Sequence, residues 1–441
     1  MAGEVINGGA PGRRGRRARN TGWLGLQGVA VASAAADGLM VTVLPLVALS
    51  VTADPVGVSL VTVARDLPWV LLSLFVGVLL DRVRRLAVLV GALVAQLLAA
   101  TVLAVLAGGQ QLSLAALVVV AFVVGSGQVV SEGATGALLP DVVGADRLNS
   151  ANARLMVIDQ GLVRFVVPPL TGVLLAWWVG LPAWVAVLAN LVALAFTRVL
   201  TVPAPTARPG RFHPLRDIRE GLVYLVNSQL LRAITLSVAI SSFAWQVGMA
   251  TFVLYGTRLL GLDSTGYGLL LGGMSVGWLL SSVVAGRLIG RFGYAAVMRA
   301  SLLVGISTMA LLAVVPPWWQ LIALILVVQA GSTLLWNVSS QTSRQRFTPP
   351  ELLGRVLTSH RALSWGLLPV GALVSGLVAA HWGLRAVWVV AALVEAVGLV
   401  LVWRAISPAR FVAAEQARHA AGAGQSGGAT TTATPPAPEA D

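Results

Sequence analysis

The chain has 441 residues, 57% of them hydrophobic and 11% charged, with a formal net charge of +13 and no cysteine. Soluble domains carry about 25% charged residues, so a chain this apolar (mean hydropathy +0.85) has to use the bilayer as its solvent. The missing cysteine excludes disulfide frameworks, thiol enzymes and cysteine metal sites. Every one of the 30 basic residues is arginine, a usage associated with GC-rich bacterial coding. These arginines sit in short loops between apolar runs, not along one soluble face, so they read as topology signals and not as a nucleic-acid surface.

In chain order, residues 1–21 form a Gly/Arg-rich arm, too poor in large apolar residues to fold. The RRGRRARN segment and Ala34-Ala35-Ala36 imitate a signal peptide and its cleavage site. The apolar run, however, continues past Asp37 to Leu49, long enough to span, and is read as the retained first span. A spanning helix needs about 20 mainly apolar residues, and the pattern predicts twelve. Six lie at 24–49, 57–80, 86–107, 113–138, 155–179 and 181–200, and six at 233–257, 266–289, 295–315, 319–342, 362–381 and 385–403. The longest connection, 201–232, contains PLRDIREGLVYLVNSQLLR, whose apolar residues recur at helical spacing between charges; it predicts an amphipathic helix at the membrane surface. Residues 405–441 are expected to be a tail without structure. The chain thus divides into the arm (1–21), a first six-span unit (22–200), a linker (201–232), a second six-span unit (233–404) and the tail.

Arginine clusters precede span one and follow spans two, four, six, eight, ten and twelve, while the alternate loops hold only Arg258 and Arg385. Positive-inside then puts both termini in the cytoplasm. Trp177, Trp178, Trp318, Trp319 and Trp382 fall near the expected outer ends, and Trp23 and Trp403 near the inner ends, as an aromatic belt.

After span two the chain reads GVLLDRVRR (77–85), with Gly77, Leu79, Asp81, Arg82 and Arg85 at fixed spacing. After span eight, the second span of the second half, the pattern returns as Gly286, Leu288, Gly290, Arg291 and Gly293, with glycine in place of the acid. A duplicated six-helix unit follows. The first copy resembles the signature between helices two and three of the major facilitator superfamily, departing at Arg84 where that family has glycine. Segments 138–155, 164–176, 214–225 and 341–376 are similar to one branch of it, the bacterial siderophore and macrolide exporters. The resemblance covers 22–404. It implies an all-α integral membrane fold of two six-helix bundles that rock about a central cavity, exporting small molecules in exchange for protons. It also makes Gly77–Arg85 a cytoplasmic gate. Asp81 would face the positive end of helix eleven near His360 and Arg361, Gly77 would let helices approach closely, and Arg82 and Arg85 would anchor in the anionic leaflet or bridge to nearby acids.

A charge at mid-bilayer costs around 2.5–3.5 kcal/mol on insertion scales, so such residues normally face a cavity or a partner. Asp37, mid-way along span one, is the first candidate for proton or cationic-substrate binding, the alternative being a structural hydrogen bond to a neighbouring helix. Arg65 and Asp66 are adjacent in span two; neighbours on a helix point about 100° apart, and Arg65 is placed to pair with Asp37 across spans one and two. Glu132 in span four is the second proton-site candidate, the alternative being a cytoplasmic salt bridge. Asp159 and Arg164 in span five do not face each other squarely; Arg164 is a counter-charge for Glu132 or Asp159. Glu395 is expected to be peripheral, leaving the chemistry concentrated in the first bundle. Trp245, Gln246, Trp336, Asn337, Gln341 and Trp365 are cavity candidates for an amphipathic ligand, with helix packing as the plain alternative.

No phosphate-binding loop, metal cluster or clustered nucleophile is present, and the four histidines read as loop or tail residues, so neither an enzyme nor ATP-driven transport is expected. No cofactor is expected. The expected partners are a small molecule, protons and the lipid bilayer, with a monomer as the functional unit in a bacterial plasma membrane. An uptake carrier or a lipid flippase on the same fold is the alternative.

Overall fold

In the computed structural model, residues 13–143, 147–200, 214–349 and 352–427 are described. The described residues are almost wholly helical, and each of the twelve expected runs falls on helix. The first half comprises α1 (Arg13–Val51), α2 (Pro55–Leu71), α3 (Ser73–Arg82), α4 (Arg85–Gly108), α5 (Leu114–Val143), α6 (Leu148–Gly161), α7 (Val167–Trp177) and α8 (Leu181–Thr197). The linker carries α9 (Pro214–Asn227). The second half comprises α10 (Gln229–Met249), α11 (Phe252–Leu254), α12 (Ser264–Val314), α13 (Trp319–Phe347), α14 (Leu353–Trp365), α15 (Leu368–Trp382) and α16 (Leu384–Val402), followed by α17 (Pro408–Gly427). Among the described residues eight helices are long and apolar enough to cross a membrane, and α12 holds two of the expected runs. The chain is a multi-pass integral membrane protein.

Helix is the necessary outcome, because in lipid every backbone N–H and C=O has to be satisfied within the segment. Polar caps close several ends. Asp54 accepts from the amides of Val56 and Gly57, both at 3.2 Å, and Asp263 accepts from Gly266 at 2.7 Å. The interruptions have local causes. Span two breaks at Leu72, four residues after Pro68, and span eleven breaks at Gly366–Leu367, just before Pro369. Span five passes through a π turn at Leu162–Val166, immediately before Pro168 and Pro169; prolines lack the N–H that would continue the ladder.

The end of the molecule bearing α9 is called the linker side, and the opposite end the far side. On the linker side Gly25 packs against Phe196 and Leu200, Arg85 donates to the Ala137 carbonyl at 2.9 Å and to Asp141 at 2.7 Å, and Tyr224 of α9 donates to the Phe347 carbonyl at 3.3 Å. Burial pushes the Tyr224 phenol above its ordinary value. On the far side Arg258 donates to the Ala53 carbonyl at 2.6 Å, and Arg385 to that of Val315 at 3.3 Å.

The apolar core is one body at the far side and two at the linker side. The largest cluster joins Leu44, Val58, Leu103 and Leu117 of the first half to Phe252, Tyr255, Leu326 and Trp388 of the second. Towards the linker side a separate cluster around Leu26, Leu89, Leu93 and Leu138 belongs to the first half alone. Another around Ile234, Met298, Trp336 and Val402 belongs to the second. The far-side union is built on small residues. A Cβ on Gly376 of α15 would overlap Ser59 of α2, and Cβ atoms on Gly172, Gly268 and Gly272 would overlap backbone or proline ring across α7 and α12.

Three expectations change. The tail is helical from Pro408 to Gly427: Phe411 stacks on Tyr294 and meets Phe347 edge-on, with centroids at 6.0 and 5.9 Å, and Arg346 pairs with Glu415 at 2.8 Å. Composition hid this because, among the described side chains, one large ring and one acid make the specific contacts. The helix of span one begins by Arg13, inside the segment expected to be an unfolded arm. The Gly286–Gly293 repeat is not built like Gly77–Arg85. The first copy breaks into extended backbone at Val83 between α3 and α4. In the second copy helix runs to Phe292 and turns on Gly293 alone, at φ 77°, a left-handed conformation that glycine tolerates.

Candidate functional site

From the far side to the linker side, one polar contact within the second half is followed by three polar or aromatic contacts between the two halves. At the far end Thr251 and Ser375, both within the second half, share a hydrogen bond of 2.9 Å close to the Ser59–Gly376 contact. Next comes Asp66, only 4% exposed. Its Oδ1 accepts from Arg65 Nε at 3.0 Å and Nη2 at 2.9 Å, and its Oδ2 accepts from Gln246 Nε2 at 2.6 Å. Gln246 lies on α10, so this carboxylate ties the halves together. One turn further, Trp69 meets Trp365 edge-to-face at 4.7 Å between centroids. Last, Glu132 of α5 and Arg361 of α14 stand 3.8 Å apart, each at least half exposed, with the Arg361 guanidinium 5.2 Å from the Trp365 ring.

Arg65 therefore pairs with its own neighbour and not with Asp37. Adjacent helical residues diverge, but the arginine stem is long enough to fold back, and a buried carboxylate without a partner is costly. Asp37 instead accepts from Gln96 Nε2 of α4 at 2.7 Å. Gly38 next to it packs on Val163 and Val167, which sets Asp37 beside the π turn of span five; such turns are frequent at functional sites. Arg164 lies in that turn and Asp159 precedes it, but both side chains fall outside the described residues, as does that of Asp81. Of the remaining gate residues, Arg82 and Leu79 are exposed and Arg85 holds α4 to the end of α5. A Cβ on Gly77, Gly286 or Gly293 would meet nothing within 4 Å; none of these glycines makes a close helix approach here. Leu288 is half-buried, and Arg291 lies 5.4 Å from the Phe292 ring.

A cavity of about 380 Å³ opens beside this axis, within the second half. Trp245, Gln246, Trp336, Asn337 and Trp365 line it, with Trp278, Gln329, Ser241, Ser242 and Glu395. Gln341 is exposed and is not among the lining residues. The expectation that Glu395 is peripheral is corrected. It is 5% exposed, its Oε1 accepts from Ser241 at 2.7 Å, and it is part of the cavity wall. The chemistry of the described cavity is thus in the second half, not concentrated in the first. His360 is likewise no loop residue: it is buried in α14, with Nδ1 at 2.9 Å from Thr235 Oγ1. Glu395 was detectable as the one acid within span twelve, and Gln96 as a lone amide in span three. Nothing local tells which residues they face.

Two helix bundles sharing one core at one end and parted at the other, with a polar-aromatic cavity in the second, are the architecture of a membrane transporter of the major facilitator type. The chain belongs to the transmembrane secretion effector family of that superfamily, whose model matches residues 30–421. No curated protein matches it by sequence. Among solved structures it is similar to a point mutant of the nucleoside transporter NupG (TM-score 0.69, 14% identity, covering 87% of this chain and 100% of that one). It is also similar to a bacterial homologue of the iron transporter ferroportin in an inward-facing state (TM-score 0.69, 16% identity, 89% and 99%). A bacterial homologue of the human lysosomal transporter Spinster, inward-facing and unoccupied, is a third (TM-score 0.66, 14% identity, 88% and 97%). At these identities the likeness is one of fold. A membrane carrier, not an enzyme, is the class these findings support.

Proposed function

We propose that the protein exports a small amphipathic molecule, such as a drug, siderophore or secondary metabolite, by alternating access in exchange for protons. The observation that carries the reading is the core: continuous across both halves at the far side and split at the linker side. Small-residue contacts such as Ser59–Gly376 separate without breaking interdigitated side chains, which suits a seal that opens and closes. With the arginine-rich loops cytoplasmic, the far side is the outer side, and the described state is sealed outward. Protons are carried by Asp37 or Glu132. Asp37 is part-buried with an amide donor, while Glu132 lies half exposed between the halves. Asp66, held by Arg65, bridges the halves through Gln246 in this state, and Asp159 and Arg164 complete the charged set of the first bundle. Asp81 and Arg82 close the cytoplasmic side in the opposite state.

The test is accumulation of fluorescent dyes and an antibiotic panel in an efflux-deficient bacterium, comparing the native chain with Asp37→Asn, each with and without a protonophore. Export is expected to be abolished by both. Export that survives the protonophore sinks proton coupling. Net uptake instead of export favours the uptake carrier, and movement of labelled lipid between leaflets in proteoliposomes favours the flippase.

A further inference from the structure

The cavity wall holds one feature that proton exchange in the first half leaves unused. Glu395 sits in α16, a helix otherwise apolar except for Arg385 near its start. Its Oε1 is taken by Ser241, while Oε2 is buried without a hydrogen-bond partner among the described residues. No arginine or histidine is among the residues lining the cavity, so this carboxylate has no counter-charge there. Asp66, nearby and equally buried, has one in Arg65. A buried anion without a cation is expensive, and a ligand can remove that cost by bringing the cation with it.

The rest of the wall suits the same guest. Trp245, Trp278, Trp336 and Trp365 all line this one cavity, and indole faces attract cations most strongly of the aromatic side chains. A volume of about 380 Å³ lies within the usual small-molecule range of roughly 300–1,000 Å³. Ser242, Gln329 and Asn337 supply neutral polar groups and no competing positive charge.

We infer that this cavity is a binding site for a hydrophobic organic cation, an amine or a quaternary ammonium or phosphonium compound, with Glu395 as its counter-charge and the indoles as its walls. Binding turns the Glu395 carboxyl away from its place behind the wall and towards the void. The inference rests on the carrier reading and narrows it to a substrate charge.

The experiment is equilibrium dialysis of the purified full-length protein with tritiated tetraphenylphosphonium, using uncharged triphenylphosphine oxide as competitor. The native chain is expected to bind the phosphonium saturably. Glu395→Gln is expected to weaken binding by about tenfold or more, the scale of one lost charge contact in a dry site. Glu395→Asp is expected to keep most of it, and the neutral oxide to compete poorly. Absence of saturable binding to the native chain, or equal binding by Glu395→Gln, overturns the inference. Should Glu395→Gln not purify as a single species, the native chain decides through dicyclohexylcarbodiimide labelling of Glu395 followed by mass spectrometry. Protection by tetraphenylphosphonium is expected, and unchanged labelling overturns the site. Dye export with no phosphonium binding removes this inference alone. Phosphonium binding that needs Glu395, without export in cells, supports the site and counts against the export direction.

Discussion

Asp66 shows how one residue acquires two tasks from its surroundings. Its two oxygens are used in different directions, one towards Arg65 in its own helix and one across the interface to Gln246. Hydrogen bonds to charged groups are worth about 1.5–3 kcal/mol, so Gln246→Leu is expected to lower the melting temperature of the purified protein measurably. An unchanged melting temperature would mean that water replaces the amide at no cost. Glu132 and Arg361 make the opposite case. Both side chains are at least half exposed and 3.8 Å apart, so the pair is worth about 1 kcal/mol or less. Glu132→Gln is therefore expected to leave the melting temperature in place while altering dye export. If stability and export fall together, the pair is structural.

At the scale of elements, glycines sort into those inside a bundle and those between bundles. Gly277 packs α12 against its own second half at Val327, whereas Gly376 packs α15 against Ser59 of the first half, and a Cβ at either would overlap its neighbour. Gly277→Leu is expected to reduce the yield of folded protein in the membrane. Gly376→Leu is expected to leave yield near normal but to prevent far-side closure. Western blotting and detergent gel filtration separate the two; equal loss of yield from both would show that the interface is needed for folding. The helices themselves were legible in the sequence, because twenty apolar residues in lipid have one satisfactory conformation. Their interruptions were partly legible in Pro68, Pro168, Pro169 and Pro369. The turn at Gly293 falls in the gap expected between spans eight and nine, at 289 and 295, but nothing local told that a single left-handed glycine would make it.

For the whole molecule, the undivided core at the far side predicts which face admits reagents. The chain has no cysteine, so Asn337→Cys introduces a single reactive thiol into the cavity wall. In right-side-out vesicles a membrane-impermeant maleimide is expected to label it slowly, and in inside-out vesicles quickly. Adding Gly376→Leu is expected to raise labelling in right-side-out vesicles about tenfold or more, the effect of shifting a two-state population by about 1.4 kcal/mol. Rapid labelling from both faces of the single variant would contradict a far-side seal.

The sequence by itself determined the solvent, the class and the element list of this protein. Hydropathy and span length are local quantities, and loop arginines mark alternate ends of the spans. It also exposed most of the charged residues that matter, since any charge within an apolar run stands out. Tertiary structure alone decided who faces whom. Arg65 was expected to reach Asp37 across spans one and two, yet it folds back onto Asp66. Glu395 and Ser241 are 154 positions apart and meet only because α10 and α16 pack at one rotation. Gln341 is one turn from Asn337 and still misses the cavity. Such choices depend on helix rotation by fractions of a turn, which is set by long-range packing of side chains whose individual energies are small.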